Sequence, residues 1–174
     1  MKFNNLPPVG NIFLVGPMGV GKTTIGRQLA DVLMREFKDS DREIEDRTGA
    51  TIPLIFELEG ESGFRKRECE MINELTHLQN IILATGGGVV LNQENRNWLR
   101  ERGTVVYLQA SADQLLKRTS RSKNRPLLQT DNPRAKIEQL LNERTPLYES
   151  VADLTVETGR RSVKSVLKEI LKRL

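Results

Sequence analysis

Eight consecutive residues, Gly16-Pro17-Met18-Gly19-Val20-Gly21-Lys22-Thr23, set three glycines, a lysine and a hydroxyl in the spacing G-x-x-x-x-G-K-[ST]. That spacing suits capture of a polyphosphate. The backbone of Gly19, Val20 and Gly21 can curl until its N–H groups point inward at phosphate oxygens, and Thr24 opens a helix whose positive end faces the same anion. Lys22 can hold the β- and γ-phosphates as a point charge. The Thr23 hydroxyl can go to Mg²⁺, a hard cation that prefers oxygen ligands.

A phosphate loop alone leaves kinases, ATPases, GTPases and transporters open, so selectivity must come from other side chains. Asp39 and Asp41 can divide two tasks, Asp39 toward Mg²⁺ through water and Asp41 toward a substrate hydroxyl as proton acceptor or orienter. A helix N-cap pair is the plain alternative. Gly86-Gly87-Gly88 expose main chain where side chains would block a ligand, at an entropic cost that a simple flexible turn does not need. Arg65, with Glu68 one turn later to hold it, and Arg144 offer planar forks for a carboxylate, although either alone reads as a solvated surface charge.

These groups need elements that bring them to one place. The apolar run Ile12-Phe13-Leu14-Val15 predicts a buried strand before the phosphate loop, followed by a helix from Lys22 to about Arg35. Phe37-Lys38-Asp39 predicts a short strand, with Ser40 or Asp41 capping a helix over Arg42 to Thr48 that Gly49 stops. Pro53 opens a helical turn through Leu58, and Phe64, Met71, Ile72, Leu75 and Leu78 space out a second helix from Ser62. Ile81 to Ala84 predicts a strand running into the glycine triplet. Beyond it come a helix from Glu94 to Arg102, a strand from Val105 to Leu108 and a helix from Ala112 to Arg121. A helix from Arg134 to about Glu143, a strand from Leu154 to Glu157 and a closing helix from Val163 complete the series. Strands alternating with helices imply an α/β fold with a largely parallel sheet covered on both faces. Between Ser122 and Pro133 the chain is polar and aperiodic, which fits a mobile loop over a site or an ordinary surface connection.

At 174 residues, with 29% charged and 37% hydrophobic residues, the chain suits one soluble globular domain rather than a disordered or membrane protein. Residues 1–10 lack the apolar core of a signal peptide, so a cytoplasmic location is expected. The single cysteine, Cys69, excludes an internal disulfide framework and, with only His77 beside it, a Cys/His zinc site. The net charge of +4 and a pI near 9.4 admit nucleic acid or a small anion as partner. Basic residues are scattered with few aromatics between them to stack bases, which favours compact phosphate and carboxylate sites.

Gly16 to Thr24, Asp39-Ser40-Asp41, Gly63-Phe64-Arg65, Thr85 to Gly88, Arg125-Pro126-Leu127-Leu128 and Arg144-Thr145-Pro146-Leu147-Tyr148 together resemble the shikimate kinase family, over nearly the whole chain and in the family's order. The resemblance implies a three-layer P-loop kinase fold with a five-stranded parallel sheet, a lid at about 122–133 and a shikimate-binding helical region at about 42–72. It implies transfer of the ATP γ-phosphate to the 3-hydroxyl of shikimate, in aromatic amino-acid biosynthesis, by a monomer that binds neither nucleic acid nor membrane. By that similarity Asp41 contacts the shikimate hydroxyls, Arg65 and Arg144 grip its carboxylate, and Gly86, Gly87 and Gly88 lend backbone. Arg125 matches the lid arginine over the phosphates, Arg118 the position that packs on adenine, and Arg161 the late loop on the nucleotide's other side. A different P-loop kinase, acting on gluconate or a nucleoside monophosphate, is the nearest rival. A nucleotide-binding regulatory or nucleic-acid-binding protein is the rival from another class.

Overall fold

No residue of β1 (Asn11–Val15) is more than 4% exposed, which requires partners on both edges and cover on both faces. It lies at the centre of a five-stranded, all-parallel sheet ordered β2 (Glu36–Asp39), β3 (Ile81–Ala84), β1, β4 (Gly103–Gln109), β5 (Leu154–Glu157). The computed structural model describes residues 10–120 and 126–174. The two-residue period of the strands sorts the core into two layers. Ile12, Leu14, Ile82, Val106 and Leu108 pack with α1 (Lys22–Leu33) and α7 (Val163–Arg173). Phe13, Val15, Leu83, Val105 and Tyr107 pack on the other face with α3 (Ile52–His77), α4 (Gln93–Arg102) and α6 (Pro133–Val151). The short helices α2 (Ser40–Thr48) and α5 (Ala112–Thr119) contribute Ile44 and Leu115 to these layers.

Element order follows the sequence pattern, and the boundaries differ where a local rule was overridden. α1 stops at Leu33 rather than Arg35, because Met34 turns left-handed (φ 51°) and closes the helix. Asp39, not Ser40 or Asp41, caps α2, since the helix begins directly after β2 and its first free N–H groups lie beside that carboxylate. The two predicted segments around Gly60 form one element, α3, bent at Gly60 (φ 70°).

The largest difference is α6, which runs through Pro146 to Val151 instead of ending near Glu143. A proline inside a helix costs about 3 kcal/mol. Against that, Ile137, Leu140, Arg144, Tyr148 and Val151 form one buried stripe, and Tyr148 stacks on Tyr107 at a centroid distance of 5.0 Å. The continued helix puts Arg144 and Tyr148 one turn apart on the same face.

Arg121, Arg125 and the rest of 121–125 lie outside the described residues, as do residues 1–9. Past that gap, Pro126–Leu128 forms a single 3-10 turn, with Leu128 against the core layer of α1 and α7. No described helix is long and apolar enough to cross a membrane.

Candidate active site

Because every strand points the same way, the loops after β1, β2 and β3 open on one edge of the sheet, the edge where open α/β sheets hold ligands. Two cavities lie there. One, of about 460 Å³, is lined by Lys22, Thr23, Thr24, Asp39 and Arg118. The other, of about 100 Å³, is lined by Arg65, Glu68, Gly88, Arg144 and the rings of Phe56 and Phe64. Met18, Asp41, Gly86 and Gly87 line both.

The phosphate loop is already in its cradle conformation. Gly21 caps α1 with φ 106°, a left-handed geometry that any side chain would strain. A Cβ on Gly19 would fall 2.6 Å from Thr119 Cγ2, so α5 braces the loop from behind. Lys22 is buried and donates from Nζ to the carbonyls of Gly16 (2.6 Å) and Pro17 (2.8 Å). Its ammonium is thereby folded over the loop it belongs to.

Asp39 takes the helix-cap role with one carboxylate oxygen and turns the other to Thr23. Oδ1 accepts the N–H groups of Asp41 and Arg42 as the N-cap of α2, while Oδ2 accepts the Thr23 hydroxyl at 2.8 Å. A hydroxyl and a carboxylate oxygen thus meet on the cavity wall beside Lys22. This donor set fits Mg²⁺, which takes one or two protein oxygens and completes its shell with phosphates and water. Among the described residues there is no cluster of three or more His, Cys, Asp or Glu able to hold a metal alone.

Asp41 is partly exposed as a residue, but its Oδ1 is shut off from solvent and has no partner among the described residues. The same holds for Oε1 of Glu68. Both oxygens press on Gly86, where a Cβ would lie 2.9 Å from Asp41 Oδ1 and 2.7 Å from Glu68 Oε1. The Gly86 N–H is fixed by donating to Ser40 Oγ at 3.1 Å. Burial pushes the Asp41 carboxyl up to about 7, reinforced by Glu68 and Asp39 and opposed by Lys22 and Arg65. Burial also raises Glu68, against the pull of Arg65 and Arg144.

Arg65 is held as its spacing suggested, donating to Glu68 at 2.8 Å and to Glu61 at 3.2 Å, with its guanidinium 5.2 Å from the centre of the Phe64 ring. Its plane backs directly onto Gly88, which leaves no room for a side chain there. Arg144 is only 4% exposed, so it is no solvated surface charge, and its Nε has no partner among the described residues. Gly87 lies between Met18 and Arg144. Two cations from α3 and α6 therefore face one small cavity floored by backbone.

Arg118 donates to Val20 O, to the hydroxyl and carbonyl of Thr158, and to Gly159 O at 2.7 Å, tying the phosphate loop to the turn after β5. Arg161 lines the adjoining cavity of about 300 Å³ with Gly19, Thr24 and Arg118, but its guanidinium is turned to Ser165, the Glu157 carbonyl and Glu169. Arg125, the expected lid arginine, lies outside the described residues.

The family model described as shikimate kinase matches residues 18–174 of this chain. The chain belongs to the shikimate kinase family. A shikimate kinase from Nitrosococcus oceani is 61% identical over 94% of this chain and 86% of its own length. The solved structure of a shikimate kinase from Acinetobacter baumannii in complex with shikimate superposes with a TM-score of 0.93 at 54% identity, covering 94% of this chain and 92% of that one. A gluconokinase from Sinorhizobium meliloti shares the fold alone, with a TM-score of 0.62 at 16% identity over 97% of this chain and 93% of its own. The activity of the shikimate kinase family is ATP-dependent phosphorylation of the 3-hydroxyl of shikimate, in the pathway to chorismate, with ATP as co-substrate.

Two contributors to this shikimate kinase site carry little signal in the sequence. Ser40 holds the Gly86 N–H, whereas the sequence marked it only as a helix-cap candidate between two aspartates. Tyr148 donates its hydroxyl to the Gly87 carbonyl, and the i, i+4 relation to Arg144 that would have revealed it was hidden by Pro146.

Proposed function

We propose that this shikimate kinase runs phosphoryl transfer at Asp41, the point where the phosphate-loop cavity and the arginine-lined cavity meet. The supporting observation is that Asp41 lines both of them, with the polyphosphate cradle on one side and the two arginines on the other. ATP would lie with its phosphates on Gly19, Val20, Gly21, Lys22, Thr23 and Thr24, and its base toward Arg118 and Arg161. The shikimate carboxylate would sit between Arg65 and Arg144 over Gly86, Gly87 and Gly88, which directs the hydroxyl end toward Asp41. The 3-hydroxyl oxygen attacks the γ-phosphorus, the bond to the bridging oxygen of ADP breaks, and the proton passes to the Asp41 carboxylate. Thr23, and Asp39 through water, would hold Mg²⁺, which would supply positive charge at the phosphate oxygens. Lys22 and, from the lid, Arg125 supply the remaining positive charge. Closure of the lid at about 122–133 would keep water, the competing nucleophile, away.

At the level of the whole molecule, residues 1–174 act as one catalytic unit, a cytoplasmic monomer whose scattered basic charge serves small anions rather than nucleic acid. Sedimentation near 19.7 kDa, with no salt-sensitive retention of DNA or RNA, is the matching result.

Arg65→Ala tests the assignment of the acceptor end. It removes one arm of the carboxylate grip and leaves the phosphate loop intact, so the shikimate KM should rise about 10- to 100-fold while the ATP KM stays within about twofold. Steady-state kinetics in a coupled ADP assay reads both constants. Equal rises would place Arg65 outside the carboxylate site.

A further inference from the structure

We propose that Tyr148 is a positioning residue for the acceptor, its hydroxyl locking together the Gly87 peptide and the Arg144 guanidinium that receive the shikimate carboxylate end. The proposal rests on the assignment of Gly87 and Arg144 to that end.

Tyr148 does not line the acceptor cavity; it stands behind it, fully buried on α6. A buried phenol needs a partner for its proton, and this one donates to the main-chain carbonyl of Gly87, 61 residues away in the chain. The Arg144 side chain, one helical turn earlier, lies beside the same oxygen and acts on it electrostatically. One atom therefore joins the glycine triplet after β3 to a cation on α6.

The geometric consequence follows from the peptide plane. The Gly87–Gly88 peptide is trans, so holding its C=O toward Tyr148 turns the Gly88 N–H to the opposite side. Gly87 and Gly88 have no side chains to fix that plane, and without the bond it could rotate. Arg144 has the complementary problem. It is a buried cation whose Nε has no hydrogen-bond partner among the described residues, so a polar group beside its guanidinium bears on its direction. Burial raises the Tyr148 phenol above its ordinary value, so it stays a neutral donor across the working pH range. Packing alone does not require the hydroxyl, since the ring's stack on Tyr107 at 5.0 Å would survive its removal.

Tyr148→Phe is the test, because it deletes the hydroxyl and keeps the ring. A positioning role acts equally on bound substrate and transition state, so the shikimate KM should rise about tenfold, or about 1.4 kcal/mol. Meanwhile kcat and the ATP KM should stay within about twofold. Tyr107→Phe, which trims the stacking partner and leaves the Gly87 bond, should leave all three constants at wild-type values. A Tyr148→Phe protein with unchanged shikimate KM overturns the proposal, as does one whose only change is a fall in kcat or in active fraction. So does a Tyr148→Phe chain that does not fold, or a Tyr107→Phe that reproduces the KM shift, since the hydroxyl would then serve the core. A wild type without shikimate turnover would overturn the underlying site reading and this proposal together, whereas a working wild type beside an unaffected Tyr148→Phe overturns this proposal alone.

Discussion

Lys22→Ala is expected to lower kcat about 10²- to 10³-fold, the usual loss on removing one preorganised charge donor from a transition state. The migrating phosphoryl group has little covalent help from protein, so fixed positive charge carries most of the catalysis. Lys22 is suited to this because it is buried and directed, with Nζ held over the phosphate loop by the Gly16 and Pro17 carbonyls. Those two bonds are among what alanine would lose structurally, at about 1 kcal/mol each. Folding should therefore survive, and the thermal midpoint should drop by only a few degrees.

A second effect travels with the first. The ammonium of Lys22 is one of two cations that hold down the Asp41 pKa, so its removal should move the Asp41 titration above about 7. Assays of Lys22→Ala at pH 7 then combine lost phosphate charge with a more protonated Asp41. Raising the pH to about 8.5 should recover the second part and none of the first, since no pH restores an absent cation. Lys22→Arg should not rescue either part fully, because a planar fork cannot replace a compact ammonium in that cradle. Turnover near wild type in Lys22→Ala would remove the residue from the mechanism.

The contrast between what the sequence carried and what it hid has physical causes. The phosphate loop was legible because its function is local: eight adjacent residues, a strand before and a helix after, fix the whole cradle. Arg65 and Glu68 were legible for the same reason, as an i, i+3 pair on one helix. Tyr148 belongs to the opposite case. Its hydrogen-bond partner is a carbonyl 61 residues away, and its helix could be followed past Pro146 only by knowing that the far half packs under Tyr107. The burial of Arg144 was hidden likewise, since a charge at 4% exposure depends on where α6 lies against the glycine triplet. Asp39 shows a third pattern. Cap and metal ligand were competing readings of one residue, yet one carboxylate oxygen caps α2 while the other stays turned to the Thr23 hydroxyl, so the two readings do not exclude each other, which no spacing rule could express.

Asp41→Asn should separate chemistry from stability more sharply than any other substitution here. Loss of a positioned general base lowers kcat by about 10²- to 10⁴-fold. The wild type carries its own signature: with the carboxyl up at about 7, kcat/KM should climb about tenfold between pH 6 and pH 8. In Asp41→Asn that climb should vanish. Stability moves the other way. The folded pKa stands above the ordinary 3.8, so the fold favours the protonated acid, and the stability it contributes is complete below about pH 4 and lost as pH rises through about 7. Above that, the wild type bears the strain of ionising a carboxyl packed beside Glu68 on Gly86. The strain is about 1.4 kcal/mol for each factor of ten by which burial weakens the acid, less what the two neighbouring carboxyls relieve by adjusting to each other. An amide cannot ionise, and its NH₂ brings a donor to a place where two acceptor oxygens lack one. Asp41→Asn should therefore melt several degrees above wild type at pH 8, with the gap closing toward pH 5. Thermal melts and rate profiles over the same pH series read both trends. A variant less active and less stable at every pH would mean that Asp41 is there for the fold; opposite signs, with the rate midpoint near pH 7 and the stability gap widening from about pH 4 up to about 7, would mean the fold tolerates strain at Asp41 because the reaction needs its base there.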